Sequence, residues 1–211
     1  MGGSTCTVTA FADVTASMSV CSNVLLSGVT VPASTTLSVT VPTNGALLFA
    51  GTMTIEYTPD ASYTPIVLKG TKAKVVGLPG AVINGLGADY WDGEGSNGGT
   101  AKPDHLIKID DMTSSSFSEI KIINWPTHLF EVTGCTDVTI SQLILDNSAA
   151  NVLDSSGVTL GHNTDAFDVS STTGLYVSGV TVYNQDGKWA NLISSGRGKS
   201  CKNTVRCQVH H

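Results

Sequence analysis

The sequence predicts an all-β solenoid, a parallel β-helix of short stacked strands, on three observations. Charged residues make up only 13% of the 211, while Gly alone numbers 22 and Ser and Thr are plentiful; this suits short strands and tight turns and is poor for helix. β-rich runs follow one another with Gly, Pro, Asn and Asp between them and few helical-period segments, so βαβ crossovers do not join the strands. An internal repeat then becomes visible. In Phe117-Ser118-Glu119-Ile120-Lys121-Ile122, Ile140-Ser141-Gln142-Leu143-Ile144-Leu145 and Val177-Ser178-Gly179-Val180-Thr181-Val182, apolar residues recur at offsets 0, 3 and 5. A β-sandwich with coincidental spacing is the competing fold.

Taken in order, residues 8–20 are rich in Ala and Ser and form either a short helix capping the solenoid or an irregular leader. Strand-like runs follow at Asn23–Val31, Thr36–Val41, Ala46–Tyr57, Pro65–Leu78 and Ala81–Ile83. In the repeat itself, an Asn sits at offset 7 each time (Asn124, Asn147, Asn184), and stacked amides bonding from coil to coil would account for it. Matching strands precede each copy: Leu106–Ile109, Leu129–Val132 and Ala166–Val169. The copies are 23 and then 37 residues apart, and an insertion at roughly Ser148–Gly161 makes up the longer step. A period near 23 with two or three short strands per turn fits a parallel β-helix.

Charge divides the chain into two parts. Residues 1–186, the expected solenoid, hold all 17 acids and six of the 11 Lys and Arg, a net −11. Residues 187–211 hold five basic residues and no acid. This basic segment diverges from the fold, and it shows none of the organised patterning of a nucleic-acid contact. Gly187-Lys188-Trp189 can be encoded with an intron-donor sequence, so a retained intron is one explanation of it. No run of 18 apolar residues is present, so no membrane-spanning segment is expected. Met1–Ser4 lacks the pattern of a signal peptide; a mature secreted chain with an added Met is favoured over an internal protein.

Five cysteines are an odd count. Cys6 and Cys21 would close a short loop as a disulfide, which points to an oxidising compartment. Cys135, in a strand-like run, reads as a small buried apolar residue. Cys201 and Cys207 form a second possible pair. No cysteine spacing matches a zinc site.

Chemistry concentrates in Gly161-His162-Asn163-Thr164-Asp165-Ala166-Phe167-Asp168, with Asn184-Gln185-Asp186 closing the next strand. One coil apart, Asp165 and Asp186 would sit on neighbouring strands of one face. Two carboxyl groups flanking a bond, one giving a proton and one activating water, are what glycoside hydrolysis needs. Clustered acids also repel, which would raise at least one pKa.

With these motifs, Ala81-Val82-Ile83-Asn84-Gly85, Tyr90-Trp91-Asp92-Gly93-Glu94-Gly95, Asn97-Gly98-Gly99 and Lys102-Pro103, the chain resembles the fungal endopolygalacturonases of glycoside hydrolase family twenty-eight, from about Cys6 to Asp186. The resemblance implies a right-handed parallel β-helix and cofactor-free, inverting, random hydrolysis of α-1,4-galacturonan in pectin, outside the cell. It implies Asp186 as general acid, Asp165 as a water-activating base, and Asn163 and His162 as substrate-binding, His162 mainly by shaping the turn. Phe167 and Val169 are core, and Asp168 is a turn or network residue.

The chain departs from the family where Asn184-Gln185-Asp186 should be followed by Asp and Cys: Gly187 and Lys188 stand there. The later Gly-His-Gly and Arg-Ile-Lys motifs, which grip the sugar carboxylates, are missing too. A weakly active or inactive enzyme is therefore expected. The alternative is a non-catalytic truncated homologue that binds pectin or a polygalacturonase-inhibiting protein. An open solenoid end would leave Val180 and Val182 partly bare and invite self-association.

Overall fold

The computed structural model describes residues 4–184 and the backbone of residues 207–208. Three parallel sheets wind into one coil. The first carries Thr5–Val8, Asn23–Ser27, Ala46–Ala50, Lys74–Gly77, Ser116–Ser118, Thr136–Ser141 and Thr173–Ser178. The second carries Leu37–Val41, Ile66–Gly70, His105–Asp110, His128–Thr133 and Phe167–Ser170. The third carries Thr30–Val31, Thr52–Ile55, Val82–Asn84, Lys121–Ile123, Ile144–Asp146, Val180–Tyr183 and Cys207–Gln208. From residue 105 each turn visits the second, first and third sheet in that order. This is the parallel β-helix that the repeat predicts.

Register confirms the spacing. His105 pairs with His128, Phe117 with Ile140 and Lys121 with Ile144, each at an offset of 23; Phe130 pairs with Phe167 and Val138 with Leu175, at 37. Alternate residues point inward and fill the coil with Val, Leu and Ile. Phe117, Phe130 and Phe167 run through it as an aromatic column, with ring centroids 5.4 and 5.1 Å apart. Each such ring buries about 150–250 Å² of apolar surface on folding, which favours the stacked coil over any open sheet.

Corners explain where runs that look continuous in the sequence divide. Ala46–Tyr57 bends at Gly51 (φ 64°), and Pro65–Leu78 bends at Lys72 (φ 53°), each into two strands on different sheets. A left-handed residue also turns the chain from first to third sheet at Gly28, Glu119, Gln142 and Gly179. The amide ladder expected from the recurring Asn forms only once. Asn124 donates to Asn84 Oδ1 (3.4 Å), whereas Asn147 donates to the Trp125 carbonyl and Asn184 to that of Thr164. Asn124 has φ 53°, a conformation Asn tolerates better than most residues. Turn geometry accounts for Asn124 alone, since Asn147 has φ −110°.

The N-terminal end is closed by a short helix, Val14–Val20, tied down by the Cys6–Cys21 disulfide. Cys135 is buried, and burial pushes its thiol pKa up, so it is an inert core residue. At the other end Val180 and Val182 are buried, contrary to expectation. The Cys207–Gln208 strand pairs alongside Val180–Thr181. Exposure falls instead on the first sheet, where Thr173–Ser178 is the last strand among the described residues and Tyr176 is exposed. The possible Cys201–Cys207 bond and a further strand at Leu192 and Ile193 lie outside the described residues.

Candidate active site

Three successive connections lead from the third sheet back to the second: residues 85–104, 124–127 and 147–166. The middle one is minimal, and the outer two are insertions. They stack on one another through polar contacts. Trp91 Nε1 donates to the Trp125 carbonyl (3.1 Å), and Trp125 Nε1 donates to the Thr164 carbonyl (2.9 Å). Thr127 Oγ1 donates to the Pro103 carbonyl (2.6 Å), and the Gly93 amide donates to the Leu160 carbonyl (2.8 Å). Trp125 is fully buried, so its indole carries both the apolar fill and one of the bonds that hold the corner.

The first insertion braces the acidic motif. Asn163 has φ 50°, and its Oδ1 accepts from the Ser96 amide (3.3 Å) and Asn97 Nδ2 (3.1 Å). A β-carbon on Gly95 would meet the His162 carbonyl at 2.4 Å, so only glycine allows this approach. The loop's own anchor is Lys102, a buried cation bonded to both oxygens of Asp92 (2.9 Å each) and to the Gly95 carbonyl (3.1 Å). Asn163 is thus held by the loop, and His162 stands exposed at the turn.

Asp165 ends the last insertion. Its carbonyl accepts from the Leu129 amide (2.9 Å), and the Phe130–Phe167 register sets it beside His128. A column of His105, His128 and Asp165 therefore runs across three coils. His128 Nε2 lies 4.0 Å from Asp165 Oδ2. Asp104 and Asp168 complete the cluster. His105 Nδ1 is 3.1 Å from Asp104 and its Nε2 is 2.8 Å from Asp168, while His128 Nδ1 is 3.3 Å from Asp104.

The electrostatics differ from those of a bare acid pair. Burial of the His105 ring opposes its charge, but hydrogen bonds with Asp104 and Asp168 outweigh this and its pKa is pushed up to about 9. His128 is raised in the same way against its own burial, chiefly by Asp104. Hydrogen bonds from the two imidazoles hold the Asp104 carboxyl well below its usual range. The two imidazoles thus stand between Asp104 and Asp168 and favour the charged form of Asp104.

Asp168 is the network residue that the sequence suggested. Asp104, His105 and His128 were missed, although the signal was present: the two histidines immediately precede the matched strands Leu106–Ile109 and Leu129–Val132, at the same 23-residue offset. Asp186, the expected partner acid, lies outside the described residues.

Three parallel sheets wound into one coil, with an acid–imidazole cluster where strands of the second sheet meet the insertions, define a parallel β-helix protein. The chain belongs to glycosyl hydrolases family 28, which it matches over residues 21–211. The match thus continues past Asp186 into the basic segment. A probable endopolygalacturonase D of Aspergillus niger is 46% identical over 188 residues, covering 88% of this chain and 38% of that protein. Its counterpart in Emericella nidulans is 41% identical over 213 residues, covering 100% of this chain and 41% of that protein. The chain therefore spans about two fifths of the length of these relatives. Among solved structures, endopolygalacturonase I from Stereum purpureum complexed with two galacturonate matches with a TM-score of 0.73 at 31% identity, covering 85% of this chain and 51% of that one.

Proposed function

We propose that the chain is a polygalacturonase-type hydrolase directed at pectin, with an incomplete site and little or no turnover. The observation that carries this reading is the placement of Asp165: partly buried, in register with two imidazoles, on the corner where both insertions meet. In this reading Asp186 gives the proton to the leaving oxygen and Asp165 activates water. Asn163 and His162 line the sugar site. The galacturonate complex of the Stereum purpureum relative supports a uronate substrate. The disulfide, with the fungal endopolygalacturonase relatives, supports a secreted protein.

Gly187 favours a second reading. A residue with no side chain stands where a second carboxylate would help activate water, so the chain would bind pectin, or a polygalacturonase-inhibiting protein, without cleaving. Reducing-sugar release from polygalacturonic acid tests the first reading, with a full-length relative as control. We expect a rate lower by about 10²–10⁴, as for loss of one acid–base group, and a further fall in Asp165→Asn. A rate equal to the control would overturn the incomplete site; a measurable rate unchanged in Asp165→Asn would overturn the role of Asp165. Pectin pull-down with no turnover would favour the second reading.

A further inference from the structure

We propose that Asp104, His105 and His128 form a binding site for a divalent transition-metal ion of the imidazole-preferring kind, such as Zn²⁺ or Ni²⁺. One Asp104 oxygen faces each ring, at 3.1 Å from His105 Nδ1 and 3.3 Å from His128 Nδ1. One ligand atom from each of the three residues lies within 4.8 Å of the others. Tetrahedral zinc with bonds of about 2.0–2.1 Å holds its ligand atoms about 3.3 Å apart, so the spacing suits an ion seated among them. The rings are presented together by the strand pairing itself, with centroids 5.0 Å apart and planes tilted by 37°.

A second observation is independent of this spacing. His105 bonds through its far nitrogen, Nε2, to Asp168 Oδ2 at 2.8 Å. A carboxylate on the far nitrogen keeps a proton there and locks the ring, so a metal ion has only the Nδ1 proton to displace, as the outer partners of metal-bound histidines do. Asp168 is thus a positioning residue for His105. His128 Nδ1, which also lies 3.1 Å from the Asp104 carbonyl, would exchange its present contacts for the ion. Asp104 is the most exposed member, so a fourth position faces solvent and is open to water or an anionic ligand. Two imidazoles with one carboxylate favour zinc-like ions over calcium or magnesium.

Isothermal titration of the chelator-treated 211-residue chain with ZnCl₂ and NiCl₂ tests this, supported by the visible absorption of bound Co²⁺. We expect saturable binding at one site. His128→Gln and His105→Gln should abolish it, Asp168→Asn should weaken it by about ten- to hundredfold, and the His210→Gln/His211→Gln double variant should bind normally. Where a variant fails to fold by circular dichroism, Ni²⁺ broadening of the His105 and His128 ring signals in the unmodified chain reads the ligands directly. No saturable binding at about millimolar metal, unbroadened ring signals, unchanged affinity in Asp168→Asn, or binding lost only in the double variant would overturn the site.

Discussion

The coils at residues 105–123 and 128–146 and the corner built by residues 85–104 and 147–166 are held together by different physics. In the coils one pattern repeats: inward apolar residues stack at fixed register, and each turn supports its neighbours. At the corner nothing repeats. Single polar contacts hold it: Trp125 to Thr164, Trp91 to Trp125, and Lys102 to Asp92. Repetition supplies the scaffold and brings His105 beside His128, and the insertions add Asp104 and Asp165 to them.

The largest test of this contrast is Trp125→Ala. It removes a fully buried ring and should cost about 3–5 kcal/mol in urea unfolding. Trp125→Phe separates packing from bonding: losing the donor to Thr164 should still cost about 1–2 kcal/mol. A neutral Phe variant would mean that apolar packing alone holds the corner, as in the coils. Replacing Cys6 and Cys21 by Ala should cost about 3 kcal/mol, because it frees a loop of 15 residues at the capped end. Denaturant melts with and without reductant check this.

The effect of pH should be smaller and confined to the corner. His105 is raised above its unfolded value, so its stabilisation is complete below 6.5 and lost as pH climbs through about 9. Asp104 is lowered, so its stabilisation is present above 3.8 and lost as pH falls further. Stability should therefore form a plateau between pH 3.8 and 6.5 and decline on the alkaline side, and the Asp168→Asn variant should lose part of the alkaline decline. Smallest of all, Gln142→Gly should stabilise the protein by about 0.5–1 kcal/mol, since Gln142 is left-handed where Gly179 occupies the equivalent corner.

What the sequence made legible follows the same division. Offsets of 23 and 37 residues revealed the strands, the recurring apolar positions such as Phe117, and the place of the last insertion, because burial writes a periodic signal. Single left-handed residues that break Ala46–Tyr57 and Pro65–Leu78 into separate strands leave no such signal when, like Lys72, they are not glycine. The Asp104, His105 and His128 cluster was hidden for another reason. Its two histidines lie one coil apart and meet only through register, whereas Asp165 and Asp168 share one short motif. The exposed end was misjudged because the strand at Cys207–Gln208 has no visible periodicity.

The central claim is that strand register brings the corner insertion onto His105 and His128. The most direct measurement is an NMR titration of the histidine ring protons in metal-free protein. The account predicts that His105 titrates near 9 and moves toward its ordinary 6.5 in Asp168→Asn. A His105 that titrates at 6.5 in both proteins would contradict it.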